Sequence, residues 1–242
     1  HPIFWASIFS KSYKQEFNVS EEDLAIVSVK NHKQAQKNPN ALSNKTYSVE
    51  DVINSKKLTD DLRLLNCSRP CSGGASIVLA SEEISKKITD TPVWISGIGQ
   101  KTTSAGFTKN ESLFSMNSSK QASKSALKMA NKNISQVDVA EVHDAFSVCE
   151  PMALEAIGFT NQGKGMSLIK NLHETNNFKI NSRGGLIGCG HPLGATGISQ
   201  TIEIVQQLQQ SAESRQVDNP KIGLVHNMSA AATSSTVLVL EK

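Results

Sequence analysis

Asn181 to Gly197 reads NSRGGLIGCGHPLGATG, six glycines in seventeen residues, with one imidazole, His191, set between Gly190 and Pro192. Glycines let the backbone approach a ligand closely, and the proline stiffens the turn. A helix-like pattern from Gly197 to Gln209 follows, so His191 is expected on a rigid loop at a helix entrance. A histidine held in this way suits proton transfer or hydrogen bonding to an oxygen that becomes negative. A second histidine opens His143-Asp144-Ala145-Phe146, directly after the apolar run 137–142, where local backbone bonding would occupy a lone imidazole equally well. A third stretch, His226-Asn227-Met228-Ser229-Ala230-Ala231, follows the apolar run 221–225.

Four cysteines complete the reactive inventory: Cys67, Cys71, Cys149 and Cys189. Cys189 lies two residues before His191 on the same loop and is the thiol best placed for acid–base work. Cys149 occupies an apolar helical position in SVCEPMALEAI, and Cys67 and Cys71 read as packing residues. No paired Cys-x-x-Cys motifs occur, so no metal site is expected, and free thiols suit a reducing, cytoplasmic setting, with an organelle left open.

These side chains need a scaffold. Residues 4–17 and a stretch ending at His32 have helical spacing, with Asn18-Val-Ser20-Glu-Glu-Asp23 as the cap between them. Residues 34–61 read as an irregular excursion with small helices. Short apolar runs at Ala75–Ala80 and Val93–Gly99 predict strands, and a domain junction is placed near 85–91. Further on come a helix over 118–132, a strand over 137–142, a helix over 151–157 ending at Gly158, and closing strands at 221–225 and 236–240. This alternation predicts an α/β layered fold with a mixed sheet, divided into residues 1–88 and 89–242.

Composition narrows the classes. With 242 residues, 38% hydrophobic and 19% charged, the chain should fold around a substantial core. A formal charge of +3 with scattered lysines argues against a nucleic-acid footprint. No apolar run reaches the roughly 18 to 20 residues of a membrane helix. The chain opens on His1 rather than Met, as a processed or trimmed end would.

The string GGLIGCGHPLGATG resembles the Gly-His-Pro loop of the thiolase superfamily. The resemblance extends along most of the chain: Lys30-Asn31-His32 with Asn38-Pro39-Asn40 is similar to the loop-domain entry of sterol-carrier-protein-type and archaeal members, and NCSRPCSGGASIVLAS to their last N-domain strand. It implies a layered α-β-α-β-α fold, with a complete C-terminal domain and the end of the N-terminal one. It also implies that His191 takes a proton from a reactive cysteine and helps bind a thioester oxygen. His143 stands in a loop that many members write Asn-Glu-Ala-Phe and the sterol-carrier type writes His-Asp-Cys-Phe, where it would serve the enolising acceptor's oxygen. Gly190 and Phe146 would line the substrate.

The chain departs from the family pattern at the last loop, usually Cys-x-Gly. Asn227 stands where the acid–base cysteine would be, and Ser229 retains only a backbone N–H for an acyl oxygen. The family's nucleophilic Cys-x-Ser loop has no counterpart between His1 and Pro70. Three functions stay open: a 3-oxoacyl-CoA acyltransferase whose nucleophile comes from another segment or chain, a silent acyl-CoA-binding or scaffold subunit, and a retro-aldol lyase. Coenzyme A thioesters are the expected substrates, with no covalently bound cofactor. A homo-oligomer or a complementary thiolase N-terminal half is the expected partner.

Overall fold

The computed structural model describes residues 1–104, 106, 109 and 112–242. In chain order the helices are α1 (Pro2–Phe17), α2 (Glu21–Ala35), α3 (Val49–Asn54), α4 (Glu82–Ile88), α5 (Asn117–Ala130), α6 (Cys149–Ile157), α7 (Gly165–Glu174), α8 (Gly185–Cys189) and α9 (Thr196–Leu208). The strands are β1 (Lys57–Thr59), β2 (Leu62–Arg63), β3 (Trp94–Thr102), β4 (Val139–Glu141), β5 (Ile222–Met228) and β6 (Ser234–Glu241). The β1–β2 pair is a small antiparallel ribbon in the excursion. The main sheet has the order β3-β6-β5-β4, antiparallel except for the β5–β4 pair, which makes it mixed.

Neighbouring residues of the central strands point to opposite sides, as the pleat requires. Leu224, Val237 and Val239 face a large core shared with α1, α2, α5 and α6. Val225, Val139 and Leu240 face a smaller cluster with Ile204 and Leu208 of α9. The sheet is therefore covered by helices on both faces. The larger core runs without interruption from Trp5 and Phe9 of α1 to Val239, so side chains from both predicted units share it.

The alanine-rich pattern of α5 has a packing reason. Ala122, Ala126 and Ala130 recur every four residues, forming one small-residue stripe, and they meet the glycine face of β3. A Cβ added at Gly97 would lie 2.1 Å from the Ala126 carbonyl oxygen, and one at Gly99 would lie 1.9 Å from that of Ala122.

The α1–α2 joint uses both expected cap residues, in different roles. Asn18 ends α1 in the left-handed conformation at φ 52°, while Ser20 opens α2 by accepting the Asp23 N–H at 3.1 Å and giving its own N–H to the Asp23 carboxylate.

The strand expected over Ala75–Ala80 is a correction. Residues 72–80 have no regular secondary structure and no backbone hydrogen bond among the described residues, and Val78 is 90% exposed. Propensity made the segment strand-like, but a strand exists only through its ladder, and no strand among the described residues pairs with it. α4, which overlaps the predicted junction, was not foreseen, nor were α7 and α8.

Gly99→Ala should force α5 off the sheet and lower unfolding free energy by about 1–3 kcal/mol. Chemical denaturation monitored by circular dichroism measures this, and wild-type stability would contradict the close contact.

Candidate active site

Two loops meet where β4 ends. His143-Asp144-Ala145-Phe146 leaves β4, and the glycine loop enters and leaves α8. Asp144 joins them: its carboxylate accepts the N–H of Leu186 at 2.6 Å and of Ile187 at 3.3 Å, at the start of α8. Asn31 of α2 donates to the same carboxylate at 2.7 Å and to Glu150 of α6 at 2.7 Å. Lys30 pairs with Glu150 at 2.9 Å, both side chains fully buried. A Cβ at Gly185, where φ is 59°, would lie 2.2 Å from Asp144 Oδ2, so the glycine lets the carboxylate reach the amides.

The segment Asn66–Pro70 fastens both loops from the other side. Ser68 donates its N–H to Ala145 O at 2.9 Å, Ser147 to Asn66 O at 2.8 Å, and His191 to Arg69 O at 2.8 Å. Pro70 pairs with His191 as an isolated parallel bridge. The Cys71 sulfur lies 2.9 Å from where a Gly190 Cβ would sit. The family resemblance assigned this segment to the stretch of the last N-domain strand, and its register against the histidine loops has no local sequence signal.

The result is a pair of imidazoles. The rings of His143 and His191 stand edge to face with centroids 5.1 Å apart, at 87°. His191 Nδ1 and Thr196 Oγ1 are 2.7 Å apart, and the Thr196 hydroxyl donates to Pro192 O at 3.3 Å. The hydroxyl proton being used, Thr196 accepts from His191 Nδ1–H, which leaves the Nε2 lone pair as the base. Thr196, five residues beyond His191, is a positioning residue that the sequence reading did not single out. Burial pushes the His191 and His143 basicities below the ordinary histidine value; the Arg183 charge reinforces this at His191, and at His143 the repulsion that a second protonated imidazole would meet, ahead of Arg183, does the same. Both rings are neutral bases or donors at neutral pH. The buried His143 Nδ1 has no partner among the described residues.

His226 underlies the pair. Its Nδ1 accepts the His143 backbone N–H at 3.4 Å, so Nε2 carries the proton toward Ser119 Oγ at 2.9 Å. The chain continues through Ser235 and Ser118 to Ala232 O. It ties the His143 loop to the turn after β5, where Ala231 and Ala232 hold positive φ values of 55° and 51°.

Other expected site residues are engaged elsewhere. The Cys189 thiol donates to Arg183 O at 2.8 Å and accepts from Asn38 at 3.2 Å; burial pushes it up to about 12. Burial also pushes Cys67 up to about 12 and raises Cys149 further. The Ser229 N–H, expected to be free, donates to Ser234 O at 2.9 Å, and the Gly190 N–H donates to Leu186 O at 2.9 Å. The free Ser229 amide is thus a correction: the turn closes on itself. Asn227 donates to Gln200 of α9 at 2.9 Å, and the Phe146 ring packs edge-on against Trp5 at 5.0 Å. No cluster of metal-binding side chains occurs among the described residues, and no described helix is long and apolar enough to cross a membrane.

A helix-covered mixed sheet with paired histidine loops at one strand end defines a thiolase-like protein. Residues 99–242 match the family described as Thiolase C-terminal domain-like, and the chain belongs to the thiolase superfamily. The acetyl-CoA acetyltransferase of Methanothermobacter thermautotrophicus is 33% identical over 238 residues, covering 98% of this chain and 62% of that relative. Sterol carrier protein 2 of Oryctolagus cuniculus is 34% identical over 235 residues, covering 94% and 43%. The chain thus spans less than two thirds of either relative. Among solved structures, the Ltp2-ChsH2(DUF35) aldolase superposes with a TM-score of 0.86 at 21% identity, over all of this chain and 63% of that one. The Bacillus anthracis acetyl-CoA acetyltransferase superposes with a TM-score of 0.71 at 16% identity, over 98% and 59%. These two likenesses concern the fold.

The buried neutral histidines predict acid sensitivity. Burial holds His32 and His226 at about 4, against an ordinary value of 6.5. The unfolded chain takes up protons that the folded chain refuses, so stability is complete above pH 6.5 and falls as pH drops from 6.5 toward 4. The loss is on the order of 3 kcal/mol for each fully buried ring. Urea titrations at pH 7.5 and 4.5 should show it, with a shallower slope in His226→Gln; equal stability at both pH values would contradict these neutral rings.

Proposed function

We propose that this chain supplies the histidine half of a thiolase-type acyltransferase site, one that condenses or cleaves 3-oxoacyl-CoA thioesters. The observation that carries the reading is the pair of neutral imidazoles 5.1 Å apart on loops fastened by one carboxylate. His191 Nε2 takes the proton from a cysteine thiol carried on polypeptide outside these residues, and the thiolate attacks the thioester carbonyl. The imidazolium so formed gives a hydrogen bond to the negative oxygen and then its proton to the departing coenzyme A thiolate, which leaves the acyl group on the cysteine. In the condensation step His191 Nε2 takes the α-proton of the acceptor thioester while His143 offers its ring N–H to that acceptor's oxygen, and the carbanion displaces the cysteine thiolate, which recovers the proton. Acyl-CoA is substrate rather than resident cofactor. The partner is a second copy or a polypeptide resembling a thiolase N-terminal half. The boundary at 88/89 separates the end of that N-terminal domain from the C-terminal one.

A second reading, retro-aldol cleavage of a CoA thioester, is supported by one observation. Asn227 is a carboxamide bonded to Gln200, and the Cys189 thiol is bonded to Arg183 O, so neither supplies a free thiol for proton transfer at the histidine pair.

His191→Ala, introduced into the polypeptide that includes the nucleophile, should lower the acyl-transfer rate on the order of 10²-fold or more. The assay is release of coenzyme A from acetoacetyl-CoA and acetyl-CoA mixtures. Wild-type turnover would remove His191 from the mechanism.

A further inference from the structure

Between the end of β4 and the first turn of α9 lies a buried charge that the proposed chemistry does not use. Arg183 is only 7% exposed. Its Nε donates to Glu141 Oε2 at 3.1 Å, its backbone N–H to Glu141 Oε1 at 3.2 Å, and its Nη1 to Ser199 Oγ at 2.8 Å. Nη2 has no partner among the described residues.

Each contact leads to one of the histidines. Glu141 is the last residue of β4, two before His143. Ser199 lies in the first turn of α9 and donates to Thr196 O at 2.9 Å, and the Thr196 hydroxyl holds His191 Nδ1. The Arg183 carbonyl accepts the Cys189 thiol and, at 3.2 Å, the Asn38 amide, which pins the loop that delivers His191.

We infer that Arg183 is a further positioning residue of the histidine pair: its guanidinium clamps the strand end that carries His143 to the helix entrance that orients His191. This rests on the reading of both histidines as working groups. The charge is added to burial in holding both rings neutral, so each keeps a lone pair or a neutral donor in mildly acid solution. Glu141 partly offsets it, since burial itself raises that carboxyl against the pull of Arg183. The other charged or titratable groups around the clamp are Asp144 after β4, Cys189 on α8, and Glu203 on α9, which shares Ser182 with Glu141 and pairs with Arg215. His226 of β5 faces His143 from below, and Lys30 and Glu150 act on Asp144 from α2 and α6.

Imidazole nitrogen NMR on the 242-residue chain, recorded against pH, reads the clamp without any assay of turnover. Arg183→Met should raise the titration midpoints of both His143 and His191 by roughly half a unit or more, whereas Arg183→Lys, which keeps the charge, should leave them near wild type. The methionine variant strands Glu141, so the double variant Arg183→Met/Glu141→Gln removes both charges together and should still raise the His191 midpoint. Circular dichroism identifies the folded variants. Unmoved midpoints in the folded single or double variant would overturn the inference, as would equal shifts in the lysine and methionine variants. If the midpoints shift but His191→Ala retains acyl transfer, the functional reading fails and the clamp stands.

Discussion

The Asp144 carboxylate is the constraint on which the site depends. It accepts two backbone amides at the start of α8 and one side-chain amide from α2, and it sits next to His143 in the chain. A buried acid with fewer donors would carry a desolvation cost of several kcal/mol. With three donors it fixes the separation of two loops that lie some forty residues apart in sequence. Gly185 is required because any side chain there would displace this carboxylate, and Asn31 is required because its amide divides its two hydrogens between Asp144 and Glu150.

The same interior holds seven buried charged side chains: Lys30, Arg183 and Arg215 against Glu141, Asp144, Glu150 and Glu203. Four carboxyls facing three cations leave one negative charge in excess. Burial raises Glu141 and Asp144, which is the direction expected if one proton is retained among them. So polar an interior under the histidine loops contributes to specificity of geometry more than to stability, because an apolar replacement of equal volume would often be as stable. It makes the orientation of the two rings a property of the whole interior rather than of either loop.

The Gly-His-Pro string and the His-Asp-Ala-Phe string were legible because each joins a reactive side chain to backbone chemistry that only a few residues permit. The α5 helix and the closing strands were legible from periodicity. What sequence could not reveal depends on pairing across long separations. The register of Asn66–Pro70 against both histidine loops, the Thr196 bond that fixes the His191 tautomer and the Ser229 amide closing its own turn are of this kind. Ala75–Ala80 failed in the opposite direction: its composition is that of a buried strand, yet Ile77, Val78 and Leu79 line an open groove of about 640 Å³ with Trp94 and Val205. Apolar character records what a segment can bury, and only a neighbouring strand decides whether it does.

The central claim is that His143 and His191 act as a unit in one acyl-transfer reaction. A double-mutant cycle in acyl transfer, measured on the polypeptide with its nucleophile, tests it most directly through His143→Ala, His191→Ala and the pair together. Groups that act on the same transition state lose far less together than the sum of their separate losses, so the account predicts a coupling of about 1 kcal/mol or more. Losses that simply add would show two independent histidines and contradict it.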